Sequence, residues 1–251
     1  MKRPKFVLLD AVHTLMDLAP DFPGFFRMIA RREGLEPDPE ALREAFAEAD
    51  RQVRARLEGR SDWSIDLERE RLFWSKIDAG IFRRIGFAER AEEMAAKAFA
   101  EFNSGAHFHL FGIAEPALQG IRALDLPMGI VSNGTDGMER WMKASPLADY
   151  AEFILVSAVV GWEKPGPEIF RLALEQAGAA PHEALFVGDS FEHDVLGALG
   201  VGIPAIWLSK NPDGRAKGLP PSQFSVLEHI GQLPDFLARL APQGKECGSL
   251  A

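Results

Sequence analysis

The sequence predicts an α/β fold: a doubly wound parallel sheet with an all-helical insertion near its start. Three observations lead there. Phe6-Val7-Leu8-Leu9 is an unbroken apolar run that ends in Asp10, the pattern of a strand buried on both faces, as in parallel sheets. After Gly112, short apolar runs alternate with amphipathic stretches, which argues for strands joined by helical crossovers. Between these regions, from Leu15 to about Gly105, only helical spacing appears and no strand pattern.

Within the insertion the spacing predicts helices at 22–32, 40–58, 63–85 and 87–102. Gly34 is a plausible stop for the first, and Asp38-Pro39 opens the second as an N-cap followed by proline. The alternating region predicts strands at 128–132, 153–157, 184–187 and 205–208, with a short edge strand at 224–226. Helices are expected at 115–124, 137–144, 167–177, 191–199 and 230–240, and the tail 242–251 reads as frayed. The expected organisation is a core of residues 1–15 and 110–251 and a helical cap of residues 16–109. Such a cap lies at the end of the strand that bears Asp10, where it can exclude water.

A chain of 251 residues has ample length for a sizeable core. Its formal net charge of -9 repels phosphate backbones, so nucleic acid is not an expected partner. A small anionic substrate is compatible with it if positive charge is concentrated locally. Cys247 is the single cysteine, which rules out an internal disulfide and a cysteine zinc cluster. The basic N-terminus leads into an apolar run too short for a secretory signal, and no stretch is long and apolar enough to span a bilayer. A soluble, cytoplasmic protein with no membrane partner is expected, its oligomeric state open.

Four strand ends bring chemistry. In open α/β sheets ligands bind beyond the carboxyl ends of the strands. Asp10 there is a nucleophile, a metal ligand, or simply the first residue of a turn. Ser132-Asn133-Gly134 offers a hydroxyl and an amide to an anion, or forms a plain Asn-Gly turn. Lys164, held extended by Pro165, places an ammonium just before a helix. Asp189 and Asp194 follow the run Phe186-Val187-Gly188. They are hard oxygen donors suited to Mg²⁺, or a helix cap and an ion-pair partner.

In this order the four stretches resemble the haloacid dehalogenase superfamily, the branch with a helical cap inserted after the first motif. The resemblance runs from Phe6 to about Leu240. It implies a Rossmann-like core and, in most members, a phosphatase that forms an aspartyl-phosphate. By that resemblance Asp10 is the nucleophile, Thr14 and Ser132 bind the transferring group, and Lys164 holds the charges together. Asp10, the main-chain carbonyl of Val12 and Asp189 are the implied Mg²⁺ ligands. Asp194 is implied to lie beyond those ligands or to be tied to Lys164.

The chain departs from the phosphatase pattern at two positions. Val12 stands where phosphatases have a second Asp that protonates the leaving oxygen and activates water, and His13 stands where they have glycine. Losing a positioned general acid–base costs about 10²- to 10⁴-fold in rate. Adjacent side chains diverge, so His13 is read as a turn residue and not as a replacement. Of the other histidines, His107 and His109 fall near the expected hinge between cap and core. Haloacid dehalogenases also lack the second Asp, but in them the position of Asp189 resembles a serine. Phosphonate-cleaving members use a cap lysine, and Lys76 and Lys97 have no distinguishing context. The expectation is a Mg²⁺-dependent phosphatase of a small phosphorylated metabolite, weakened by Val12. The alternatives are a phosphoryl-binding or regulatory protein and a metal-independent 2-haloacid dehalogenase.

Overall fold

The computed structural model describes residues 1–58, 60, 62–212 and 214–240; the tail expected to fray lies outside them. Its centre is a six-stranded parallel sheet. In chain order the strands are β1 (Phe6–Leu9), β4 (Met128–Ser132), β5 (Ala151–Val156), β6 (Ala184–Gly188), β7 (Ala205–Leu208) and β8 (Phe224–Leu227), and their spatial order is β5-β4-β1-β6-β7-β8. The chain starts in the middle of the sheet, builds outward through β4 and β5, then returns to the other side of β1. That reversal is the switch point at which open α/β sheets leave a crevice beyond the strand ends. Leu9 sits in register with Ile130 on one side and Val187 on the other. The residues after β1, β4 and β6 therefore emerge together.

Because successive strand residues face opposite ways, β1 feeds two separate cores. Val7 and Leu9 join the layer formed with Ala117, Leu118, Ile121, Met138 and Leu233. Phe6 and Leu8 join Ile169, Phe170, Phe186, Val195 and Ala198 on the other face. The helices that supply these residues are α5 (Ala114–Arg122), α6 (Asp136–Ala144), α8 (Pro167–Ala177), α9 (Gly197–Gly200) and α10 (Leu233–Arg239), with the single-turn α7 (Ser157–Val160) after β5.

Among the described residues, 22–103 hold four α-helices with a third core of their own, built around Phe25, Phe26, Ile77, Phe82, Met94 and Ala95. They are α1 (Phe22–Arg32), α2 (Pro39–Leu57), α3 (Leu67–Arg84) and α4 (Ala91–Asn103). Asp38 caps α2 as its sequence implies, its side chain accepting from the Ala41 N–H at 2.9 Å. The third helix starts later than its spacing predicts. Asp66 caps it by accepting from Glu68 and Arg69, and residues 62–65 are drawn into a contact with the sheet domain.

One expectation is overturned. The stretch after Leu15 contains a strand, β2 (Met16–Leu18), paired antiparallel with β3 (Phe108–Leu110). This ribbon is the crossing point between the four-helix region and the sheet, and His109 lies on it opposite Asp17. Three residues are too few to show an alternating pattern, and the partner strands are some ninety positions apart. A second difference follows β6. There the expected helix opens as one π-helical turn, Phe191–Leu196, before α9, a deviation that recurs at functional sites.

Asp78 lies on α3 between the buried Ile77 and Ala79, and makes no hydrogen bond or ion pair with the described residues. Burial pushes its carboxyl up to about 7, above the unfolded value near 4. The folded chain then binds the extra proton, so Asp78 lowers stability progressively as pH rises from about 4 to about 7. Replacing it by asparagine should raise the melting temperature more at pH 8 than at pH 5. An equal shift at both pH values in thermal denaturation would show that the carboxyl is not held this way.

Candidate active site

Asp10 continues the line of β1, its N–H donating to the Val187 carbonyl at 2.9 Å. It is 5 % exposed, and its Oδ1 accepts from Lys164 Nζ at 2.6 Å. The same ammonium donates to Asp194 Oδ1, also at 2.6 Å. Lys164 and Asp194 are 3 % and 1 % exposed, so these three charges meet inside the protein. Asp189 joins them from the end of β6: carboxylate oxygens of Asp10, Asp189 and Asp194 lie within 4.8 Å of one another.

Each member is set by local structure. The π-helical turn carries Asp194 back over β6, where its second oxygen accepts from the Ser190 N–H at 2.9 Å. Gly188 makes this approach possible, since a Cβ there would collide with the Asp194 carboxyl group. Asp189 is pinned through its backbone, its carbonyl accepting from the Trp207 indole at 2.8 Å. The Lys164 backbone is clasped from both sides by Asn133. The Asn133 amide nitrogen donates to the Lys164 carbonyl, and the Lys164 N–H donates to the Asn133 side-chain oxygen, each at 2.9 Å. From sequence, Asn133 is a candidate to bond an anionic substrate. The structure spends its amide on holding the lysine loop, a pairing invisible in sequence because the partners are 31 positions apart.

Electrostatics separates the acids. Burial on its own pulls the Lys164 pKa down, but the charges of Asp10 and Asp194 and their hydrogen bonds outweigh it, and the group is raised and firmly protonated. Asp194 is pushed up by burial against the pull of Lys164. Asp189 is pushed up to about 7, first by burial and then by the charges of Asp10 and Asp194. It makes no side-chain hydrogen bond to the described residues. Three carboxylates thus face one ammonium, an imbalance that a divalent cation would remove. Asp194 has already committed one oxygen to Lys164 and the other to Ser190. Asp10 and Asp189 keep oxygens to give.

Two hydroxyls complete the pocket. Thr14 is 2 % exposed and its Oγ1 has no hydrogen-bond partner among the described residues; a buried hydroxyl in that state costs about 1–3 kcal/mol. Ser132 is fully buried, and among the described residues its hydroxyl makes one bond, 3.3 Å to the Asn133 carbonyl. The Val12 carbonyl accepts no backbone hydrogen bond from the described residues. His13 is exposed, adopts φ 60°, and its Nδ1 lies 3.0 Å from Asp17. That left-handed backbone is the conformation for which glycine is favoured. The turn therefore demands it even where the side chain is histidine. The site is completed by groups the sequence reading passed over: Gly188, Trp207 and the clasp by Asn133. Only Gly188 left a signal, standing beside Asp189 at the end of a buried run.

With this geometry in place, similarity to known proteins can be read. The family model for haloacid dehalogenase-like hydrolases matches residues 4–202. The phosphoserine phosphatase of Thermus thermophilus is 33% identical over 230 residues, which cover 82% of this chain and 89% of that protein. A 2-haloacid dehalogenase of Pseudomonas syringae superposes with a TM-score of 0.63 at 26% identity, over 95% of this chain and all of that one. The HAD-hydrolase YfnB of Bacillus subtilis superposes with a TM-score of 0.72 at 18% identity, over 94% of this chain and 99% of that one.

Exchanging Lys164 for methionine removes the cation that two buried carboxylates share, and breaking such a cluster costs about 3–5 kcal/mol. Urea unfolding should show a loss of that order at pH 8. The loss should shrink at pH 5, because carboxyls whose pKa burial has raised take up protons there and shed their charge. A loss below ~1 kcal/mol at pH 8 would mean the ammonium does not hold the site together.

Proposed function

The chain belongs to the haloacid dehalogenase-like hydrolases, and on that premise we propose that the bond it hydrolyses is a phosphate ester. We read it as a Mg²⁺-dependent phosphatase of a small phosphorylated metabolite that works through an aspartyl-phosphate. One observation supports this above the others: the carboxylates of Asp10, Asp189 and Asp194 converge within 4.8 Å around a single ammonium. The donor set fits Mg²⁺, a hard cation that prefers carboxylate and carbonyl oxygens and keeps several waters. Asp10, Asp189 and the Val12 main-chain carbonyl are the groups that would hold it. Bound there, the ion supplies positive charge and orients phosphoryl oxygens.

The chain's own residues then divide the work. A carboxylate oxygen of Asp10 attacks phosphorus, and the bond from phosphorus to the ester oxygen breaks. Lys164 offsets charge on the phosphoryl oxygens, while Thr14 and Ser132 donate to them, which gives the orphaned Thr14 hydroxyl a partner. The leaving oxygen takes its proton from water, because Val12 has none to give. Water then attacks the aspartyl-phosphate, releasing inorganic phosphate and restoring Asp10. Missing acid–base assistance makes turnover slow and favours good leaving groups. The relative named a phosphoserine phosphatase agrees with a small phosphomonoester as substrate. Residues 16–109 act in this reading as the cap that excludes water, and the setting is the cytoplasm. Among the described residues no helix is long and apolar enough to cross a membrane.

Val12 favours a second reading, a protein that binds the phosphoryl group with little turnover. Dehalogenation ranks behind both, although a 2-haloacid dehalogenase shares the fold. A third carboxylate, Asp189, repels the carboxylate of a haloacid unless a cation is present.

The purified protein should hydrolyse an aryl phosphate slowly with Mg²⁺ and not at all with a chelator. Asp10→Asn should abolish the activity, and Val12→Asp should raise it by at least ~10-fold. No release above blank across a broad phosphate panel, or halide release from 2-haloacids without metal, would reject the phosphatase reading.

A further inference from the structure

The loop that bears Lys164 is held on its outer side by the helical region. The Glu163 N–H donates to the Trp63 carbonyl at 3.1 Å, and the Ile65 N–H donates to the Gly161 carbonyl at 2.8 Å. These bonds bracket an antiparallel bridge between Ser64 and Trp162. Arg60 closes the contact. Its guanidinium bonds the Glu163 carboxylate, donates to the carbonyls of Asp62 at 2.7 Å and Ser64 at 3.2 Å, and lies 4.9 Å from the centre of the Trp63 ring. The pair is largely shielded, with side-chain exposures of 16% for Arg60 and 15% for Glu163. Trp63 packs so closely on Gly166 that a Cβ there would strike it.

Lys164 is therefore gripped twice. Asn133 holds it from the core, and Arg60 with residues 62–65 holds its neighbours from the helical side. Asp10 is 5 % exposed, and the cap of the proposed function would admit substrate by moving away from the sheet. That movement must break the Ser64–Trp162 bridge, whereas the Asn133 clasp remains. We propose that Arg60 is a positioning residue for Lys164. By bonding Glu163 it clamps residues 62–65 onto 161–163, so that closure of the helical region and the final setting of the ammonium occur together. The proposal rests on the phosphatase reading for what Lys164 does, but the clamp itself does not.

The test uses the full chain with Cys247→Ser and the pair Ser64→Cys/Trp162→Cys. Bridge partners have Cα atoms roughly 4.5–5.5 Å apart, within reach of a disulfide. The pair should cross-link under a mild oxidant, and adding Arg60→Gln should slow that at least about fivefold. Without the cysteine pair, Arg60→Gln should lower kcat for an aryl phosphate by about the same factor, with KM changed less than about twofold. Arg60→Lys, which keeps the charge, should recover most of both effects. Unchanged cross-linking in Arg60→Gln overturns the proposal, and so does slowed cross-linking with unchanged kcat in an active enzyme. An inactive parent protein whose cross-linking still slows in Arg60→Gln counts against the phosphatase reading and for the clamp.

Discussion

The ammonium of Lys164, buried between Asp10 and Asp194, is the contact on which the site depends. It bonds both acids at 2.6 Å at a depth where an unpaired buried charge costs several kcal/mol. The surrounding construction answers that demand. Parallel pairing of β1 with β4 and β6 delivers Asp10, Ser132 and Asp189 to one crevice. The π-helical turn and Gly188 let Asp194 come in over β6. Asn133 fixes the backbone of the lysine, so only its side chain has to be ordered by the acids.

What the sequence could show follows from how local each feature is. Phe6–Leu9, Met128–Ser132 and Ala184–Gly188 are unbroken apolar runs, and their ends point to Asp10, Ser132 and Asp189 without any tertiary information. Lys164 is legible only through its order relative to these runs. The rest is non-local. The ribbon of Met16–Leu18 with Phe108–Leu110 is too short to leave a period. The late start of α3 reflects a pairing with residues 161–163 across a hundred positions. Asn133 looked like a ligand for an anion because an amide suits that task, yet a backbone segment uses the amide first.

Positions 12 and 13 show two kinds of substitution at one turn. The left-handed backbone at His13 is imposed by the turn, whose N–H bonds the Met16 carbonyl at 2.8 Å. Histidine tolerates that conformation better than branched residues do, and its ring is steadied by Asp17 at 3.0 Å. The fold thus absorbs the change. At Val12 the resemblance to phosphatases implies instead the loss of a proton donor. In the proposed function this leaves a site able to gather charge around a phosphoryl group but poor at handing over protons. The rate should suffer while binding persists.

That division places the weight of the account on charge. Three carboxylates against one lysine leave a deficit that one divalent cation would make good, and Asp189 is the member whose side chain has no hydrogen bond to the described residues. Calorimetric titration with Mg²⁺ near neutral pH, on the unaltered protein and on Asp189→Asn, tests this most directly. The account predicts one ion per chain, bound at least ~10-fold more weakly once Asp189 is neutral. Equal affinity in the two proteins, or no binding in the unaltered one, would contradict it.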